Sequence, residues 1–161
     1  MLKFNGQIRP YFNTLAKAMT FLACGLCAVA APDRADAQQF RPHVIMNDRG
    51  GLLENRLREL GHLRDTHAQV EIRGSICYST CTMYLGLPDV CVSQKTKFGF
   101  HGPTSFGRKL TPVLFENASR MIAAHYPEPL RRWYLEEGRY RTKNLYYIRG
   151  RELIQMGVKS C

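Results

Sequence analysis

Between residues 42 and 156, short apolar stretches and amphipathic ones take turns along the chain, and this alternation restricts the fold more than any other feature. Residues 42–47 (PHVIMN) bring Val44, Ile45 and Met46 together and predict a buried strand. Asp48-Arg49-Gly50-Gly51 is a turn. Leu53, Leu57 and Leu60, flanked by Leu52 and Leu63, recur at steps of three and four, the mark of one apolar helix face across 52–64. Residues 70–76 (VEIRGSI) alternate as a second strand, and Cys77-Tyr78-Ser79-Thr80 is a turn of small residues. A short apolar helix over 81–87 stops at Pro88. Extended pieces at 90–92 and 97–100 are split by Ser93-Gln94-Lys95-Thr96, and His101-Gly102-Pro103 ends the second.

The last third reads as mainly helical. Pro112 suits a first helical position, where its missing N–H costs nothing, and Leu114, Ala118, Met121, Ile122 and His125 share a face behind it. Pro127 and Pro129 break that helix; Leu130, Trp133 and Tyr134 mark another, closed at Gly138. Residues 145–148 (LYYI) predict a strand, and 151–156 a final short helix before Gly157. Strand and helix in alternation predict an α/β layer fold, a mainly parallel sheet with flanking helices.

Residues 1–37 read as a targeting segment. Lys3, Arg9 and Lys17 precede the apolar run 18–31 (AMTFLACGLCAVAA), and Ala35-Asp36-Ala37 supplies an A-x-A site, the three parts of a secretory signal peptide. The run is shorter than the ~20 apolar residues that span a bilayer, and an uncleaved N-terminal anchor is the alternative. Residues 38–161 then form a single domain in the periplasm or outside the cell. The formal charge of +10 suggests attraction to anionic envelope surfaces. It does not argue for nucleic acid, because export places the chain away from it. Cys77, Cys81, Cys91 and Cys161 remain after the leader, an even number that favours disulfides in an exported chain. Three pairings are open. No CxxC pair or HExxH occurs there, so no metal is assigned and no cofactor is expected.

The alternation also bears on chemistry. In a parallel sheet, consecutive strands end at one shared edge, and ligands bind outside it. Ser79 follows one strand and opens a helix, and His101 follows a later strand, so the two side chains are expected to meet at that edge. Ser79 is the candidate nucleophile and His101 the candidate base. A serine at a helix start also lies beside unpaired N–H groups that suit a developing oxyanion. Gly50-Gly51 again follows a strand and precedes a helix, where a backbone without Cβ can approach a substrate closely.

Three stretches carry a resemblance: Asn47-Asp48-Arg49-Gly50-Gly51, Gly74-Ser75-Ile76-Cys77-Tyr78-Ser79-Thr80-Cys81, and Phe98-Gly99-Phe100-His101-Gly102-Pro103. Together they resemble the proteolytic subunit of the Clp protease (ClpP) and its relatives, with a Gly-Gly turn, a small-residue turn bearing the nucleophile, and a strand ending in the catalytic histidine. The tail Glu152-Leu153-Ile154-Gln155-Met156-Gly157-Val158 is similar to the close of that family. More narrowly, the motifs look like exported bacterial proteins of the ClpP/crotonase-like superfamily. The resemblance implies that Ser79 attacks an acyl carbonyl, that His101 takes and returns its proton, and that N–H groups of Gly51, Gly50 and Thr80 hold the oxyanion.

Two departures follow. The family's aspartate corresponds to the neighbourhood of Asn144, which could orient His101 but cannot stabilise an imidazolium by charge; Glu136 and Glu137, from the preceding helix, are the alternatives. The fold is N-terminally truncated relative to ClpP, which argues against that family's barrel-shaped oligomer and leaves other oligomers open. The expected function is therefore an exported serine hydrolase or peptidase with a peptide or acyl substrate. The alternative is a catalytically inactive ClpP-like binding module of the cell envelope. Acyl-coenzyme A chemistry ranks third, since that cofactor is not expected outside the cytoplasm.

Overall fold

The structure, a computed structural model, describes residues 41–161; the leader reading of 1–37 lies outside them. Its spine is the nine-residue strand β2 (Val70–Tyr78). On one side β2 pairs in parallel with β1 (His43–Asp48). Its other edge is shared end to end by β3 (Val90–Val92), parallel along Val70 to Ile72, and β4 (Lys97–Phe100), parallel along Ile76 to Tyr78. A last strand, β5 (Tyr146–Arg149), runs antiparallel to β4. The class is mixed α/β, a five-stranded sheet with flanking helices.

The gap between β3 and β4 would strand two carbonyls of β2. Ser93 N–H donates to the Ile72 carbonyl at 2.8 Å, and the buried Thr96 hydroxyl donates to the Gly74 carbonyl at 2.5 Å. The polar break predicted between the strands is thus what completes the ladder. A second irregularity lies between β1 and β2, where the register shifts between Ile45 and Asn47. There the Asn47 side-chain oxygen accepts the Ser75 N–H at 2.9 Å in place of a backbone partner. Any Cβ on Gly74 would collide with the Met46 backbone, so only glycine lets β1 come this close.

Helix α1 (Leu53–Asp65) connects β1 to β2 and buries Leu60 and Leu63, as its leucine spacing predicts. The short helix expected over 81–87 is a 3-10 helix that starts earlier, spanning Ser79–Gly86 directly after β2. Then come α2 (Pro112–Ala123), α3 (Leu130–Glu136), a one-turn 3-10 helix (Gly138–Tyr140) and, after β5, α4 (Gly150–Gln155). One core joins Ile72, Met83, Val92, Phe98 and Leu153. Phe100 meets Tyr126 and Trp133 edge-on at 5.6 and 5.4 Å, and Tyr126 meets Tyr134 at 5.1 Å. Such pairs contribute about 0.5–1.5 kcal/mol each beyond area burial.

Three expectations need correction. β1 is an edge strand rather than a buried one: only Ile45 is buried, and Val44 and Met46, which alternate to the opposite face of the sheet, are exposed. Helix α2 turns Ser119, Ile122 and Ala123 inward, so Leu114 and Met121 of the predicted face are exposed. Gly138 does not close α3 with a left-handed cap; it begins the next turn, pressed so tightly on the Trp133 ring that a Cβ would lie 2.8 Å from it.

The four cysteines form two pairs, Cys77–Cys81 and Cys91–Cys161. The second ties β3 to the segment 158–161, which also exchanges backbone bonds with Val92 (Val92 N–H to Lys159 at 2.9 Å, Cys161 N–H to Val92 at 3.1 Å). Among the described residues, no helix is long and apolar enough to cross a membrane, and no cluster of three or more His, Cys, Asp or Glu could hold a metal ion.

Candidate active site

β2 ends at Tyr78 in extended backbone, and the chain then turns sharply at Ser79, which has a φ of +56°. A non-glycine residue in this left-handed region costs roughly 1–2 kcal/mol and persists only where its surroundings hold it. Two groups hold it here. The Cys77–Cys81 disulfide closes a ring around Ser79. The Thr82 hydroxyl donates to the Ser79 carbonyl at 2.7 Å. With that proton committed, the Tyr126 hydroxyl 2.6 Å away must donate to Thr82, and burial, which pushes the Tyr126 phenol well above its usual pKa, keeps it protonated to do so.

His101 follows β4 directly. Because Tyr78 and Gly99 lie opposite one another in the parallel ladder, the next residues of both strands emerge at the same edge. His101 Nε2 stands 2.7 Å from Ser79 Oγ, and Nδ1 stands 2.7 Å from the Gly102 carbonyl oxygen. A carbonyl only accepts, so Nδ1 carries the proton. Nε2 is then the bare nitrogen, and the Ser79 hydroxyl donates to it. The backbone is pinned as well: Tyr134 donates to the His101 carbonyl at 3.1 Å, and Gly102 N–H donates to Arg141 at 3.0 Å.

The third group predicted by the sequence is elsewhere. Asn144 is exposed and lines a separate cleft, and His101 Nδ1 is engaged by Gly102 in its place. Glu136 and Glu137 are exposed at the end of α3 and line no part of the Ser79 cavity. No side-chain pattern marks the role of Gly102, because it acts through its backbone carbonyl.

Of the three expected oxyanion donors, Gly50 is already occupied: its N–H donates to Asp48 Oδ1 at 2.7 Å. Gly51 N–H has no acceptor among the described residues, and Thr80 N–H lies in the first helical turn, where no intrahelical partner exists. The Thr80 hydroxyl reaches the Gly51 carbonyl at 3.4 Å, joining the two loops. Gly50 contributes through its missing side chain. At φ +89°, a Cβ would fall 2.5 Å from Ser79 Cβ and 2.8 Å from the Tyr78 carbonyl. Gly50→Ala is therefore expected to lose about 2 kcal/mol of stability and to displace Ser79, read as a lower melting temperature together with slower reaction of the serine.

Behind the glycines lies a polar cluster that the sequence analysis missed. Arg56 is 8% exposed, a nearly buried cation held between Asp48 and Glu59, bonded to Tyr84 Oη and lying 4.3 Å from the Tyr84 ring centre. Tyr84 donates to Glu59 at 2.5 Å, and burial first, that bond second, push its phenol well above the usual range. Two carboxylates around one arginine neutralise the buried charge and fix Asp48, which in turn fixes the Gly50 amide. The turn at Asp48-Arg49-Gly50-Gly51 is legible in the sequence; the link from Asp48 to Arg56 is not.

Gly51, Ser79, Thr80 and His101 open on one cavity of about 350 Å³. Its other walls are apolar, chiefly Leu52, Leu53, Leu110, Ala118 and Ile122, and no Asp, Glu, Lys or Arg lines it. At its lip, Ser105 and Arg108 exchange backbone bonds of 2.9 and 3.0 Å around a turn whose two central residues, Phe106 and Gly107, both have positive φ. Phe106, 86% exposed, is carried at the tip. The chain matches no protein-family model and no curated protein.

Proposed function

We propose that this protein is an exported serine hydrolase of the ClpP/crotonase-like kind, acting on a peptide or related acyl bond. The observation that carries the reading is the 2.7 Å contact from Ser79 Oγ to His101 Nε2, with the tautomer set by the Gly102 carbonyl. As Ser79 attacks the acyl carbon, its proton passes to Nε2 and the carbonyl electrons move to oxygen. The N–H groups of Gly51 and Thr80, residues that both line the cavity, are the donors assigned to that oxygen, and each such donor typically lowers the barrier by about 3 kcal/mol. Collapse expels the leaving group, which takes the proton from Nε2. Water, deprotonated by the same nitrogen, then releases the acyl group and restores the serine.

A carbonyl at Nδ1 holds the ring's tautomer and direction but adds no negative charge to the developing imidazolium. Turnover is accordingly expected to be slower than with a carboxylate there. The same neutral partner favours the second reading, a binding module that keeps the groove without the chemistry. Two disulfides support an oxidising compartment for either.

A fluorophosphonate probe separates the two readings. Incubated at neutral pH and mapped by peptide mass, it is expected to modify the wild type at Ser79. Labelling no faster than in Ser79→Ala would leave the binding module standing.

A further inference from the structure

A second cleft, of about 250 Å³, opens between the 101–111 loop and the segment before β5, lined by Lys109, Tyr140, Arg141, Thr142, Lys143 and Asn144. Every one of these residues can donate a hydrogen bond, three carry a positive charge, and none is a carboxylate. Lys109, Arg141 and Lys143 have no acidic partner among the described residues. By contrast, the adjacent Arg139 is neutralised by Glu116 at 2.6 Å, outside the cleft. Arg139 also donates to the Tyr140 hydroxyl at 2.9 Å, which occupies that oxygen as an acceptor and leaves its proton for something else. The Arg141 guanidinium lies 5.8 Å from the Tyr146 ring centre, a contact that restrains its direction.

Unpaired cations that line one cleft together with unspent hydroxyl and amide donors repel one another unless an anion joins them. We propose that this cleft binds a phosphoryl group. A carboxylate offers two oxygens and one charge, too few for three cations and three neutral donors. A phosphate monoester offers three oxygens and up to two charges, and a guanidinium meets it in a bidentate fork. The cleft adjoins the Ser79 cavity through the chain itself, since Lys109 lines one and Leu110 the other. A bound phosphoryl group would therefore steady the loop that carries Phe106. The proposal does not depend on Ser79 being reactive.

The test is a titration of the protein with inorganic phosphate, against chloride at equal ionic strength, followed by amide NMR shifts. Saturable shifts confined to Lys109 and residues 140–144 are expected. Lys109→Glu with Lys143→Glu should weaken binding about tenfold or more, while the charge-matched control Lys95→Glu with Arg64→Glu should change it less than about twofold. Vesicles of phosphatidylglycerol and of phosphatidylcholine identify the source. Binding to the first alone, displaced by free phosphate and lost in the cleft variant, assigns a lipid headgroup; saturable phosphate binding without vesicle binding assigns a soluble phosphate. Shifts spread over the whole surface, or equal losses in the cleft and control variants, would overturn the site and leave only diffuse positive charge.

Discussion

His101→Ala is expected to slow modification of Ser79 by a fluorophosphonate by about 10²–10⁴-fold, with the fold left intact. The side chain makes two polar contacts, to Ser79 Oγ and to the Gly102 carbonyl. Removing it takes away the acceptor that Ser79 Oγ contacts among the described residues, while the backbone bond from Tyr134 survives, because it ends on the His101 carbonyl. The melting temperature should consequently move little. Asn144→Ala, made in parallel, should react within about twofold of the wild type, since Asn144 is exposed, lines the other cleft and makes no contact with His101 Nδ1, which Gly102 engages. A large loss in Asn144→Ala, or none in His101→Ala, would dismantle the assignment of roles given above. Pseudo-first-order inactivation rates and a thermal melt for each variant are sufficient.

The largest stability effect is expected from the other cysteine pair. Cys91 and Cys161 are 70 residues apart in sequence, and opening a loop of that length releases chain entropy worth about 4 kcal/mol. For a domain of this size the double variant Cys91→Ser/Cys161→Ser should melt roughly 10–20 °C lower. The short Cys77–Cys81 loop, with a separation of four residues, should cost only about 2 kcal/mol when opened. Differential scanning calorimetry of the two double variants checks the order. Equal losses would show that native-state strain or residual unfolded structure, rather than loop length, sets the effect.

The strand edges are legible in the sequence because polar breaks mark them. Residues 90–92 and 97–100 are predicted and observed with the same bounds, flanking Ser93-Gln94-Lys95-Thr96. Ser79 and His101 could be named because each closes such a strand, and parallel strands bring their ends to one edge. The helix faces are less legible. Leu114 and Met121 fit a helical stripe, yet the side of α2 that meets the core carries Ser119 beside Ile122 and Ala123, and no hydrophobic pattern flags a buried serine. Two backbone roles are not legible: the Gly102 carbonyl at His101 and the Gly50 amide bound to Asp48 depend on peptide direction, which side-chain type does not record. The disulfide pairing likewise becomes visible only once the 158–161 segment is seen beside β3.

The ring closed by Cys77 and Cys81 has a consequence for how this protein comes into being. Translation alone does not finish the turn at Ser79; an oxidant must remove two electrons and two protons from the paired thiols. Both sulfur-bearing residues are wholly buried, so the oxidation has to precede or accompany the packing that seals them in. The shape of the turn at Ser79 is thereby coupled to the place of maturation, and a copy that folds under reducing conditions arrives with that bend held by one restraint fewer.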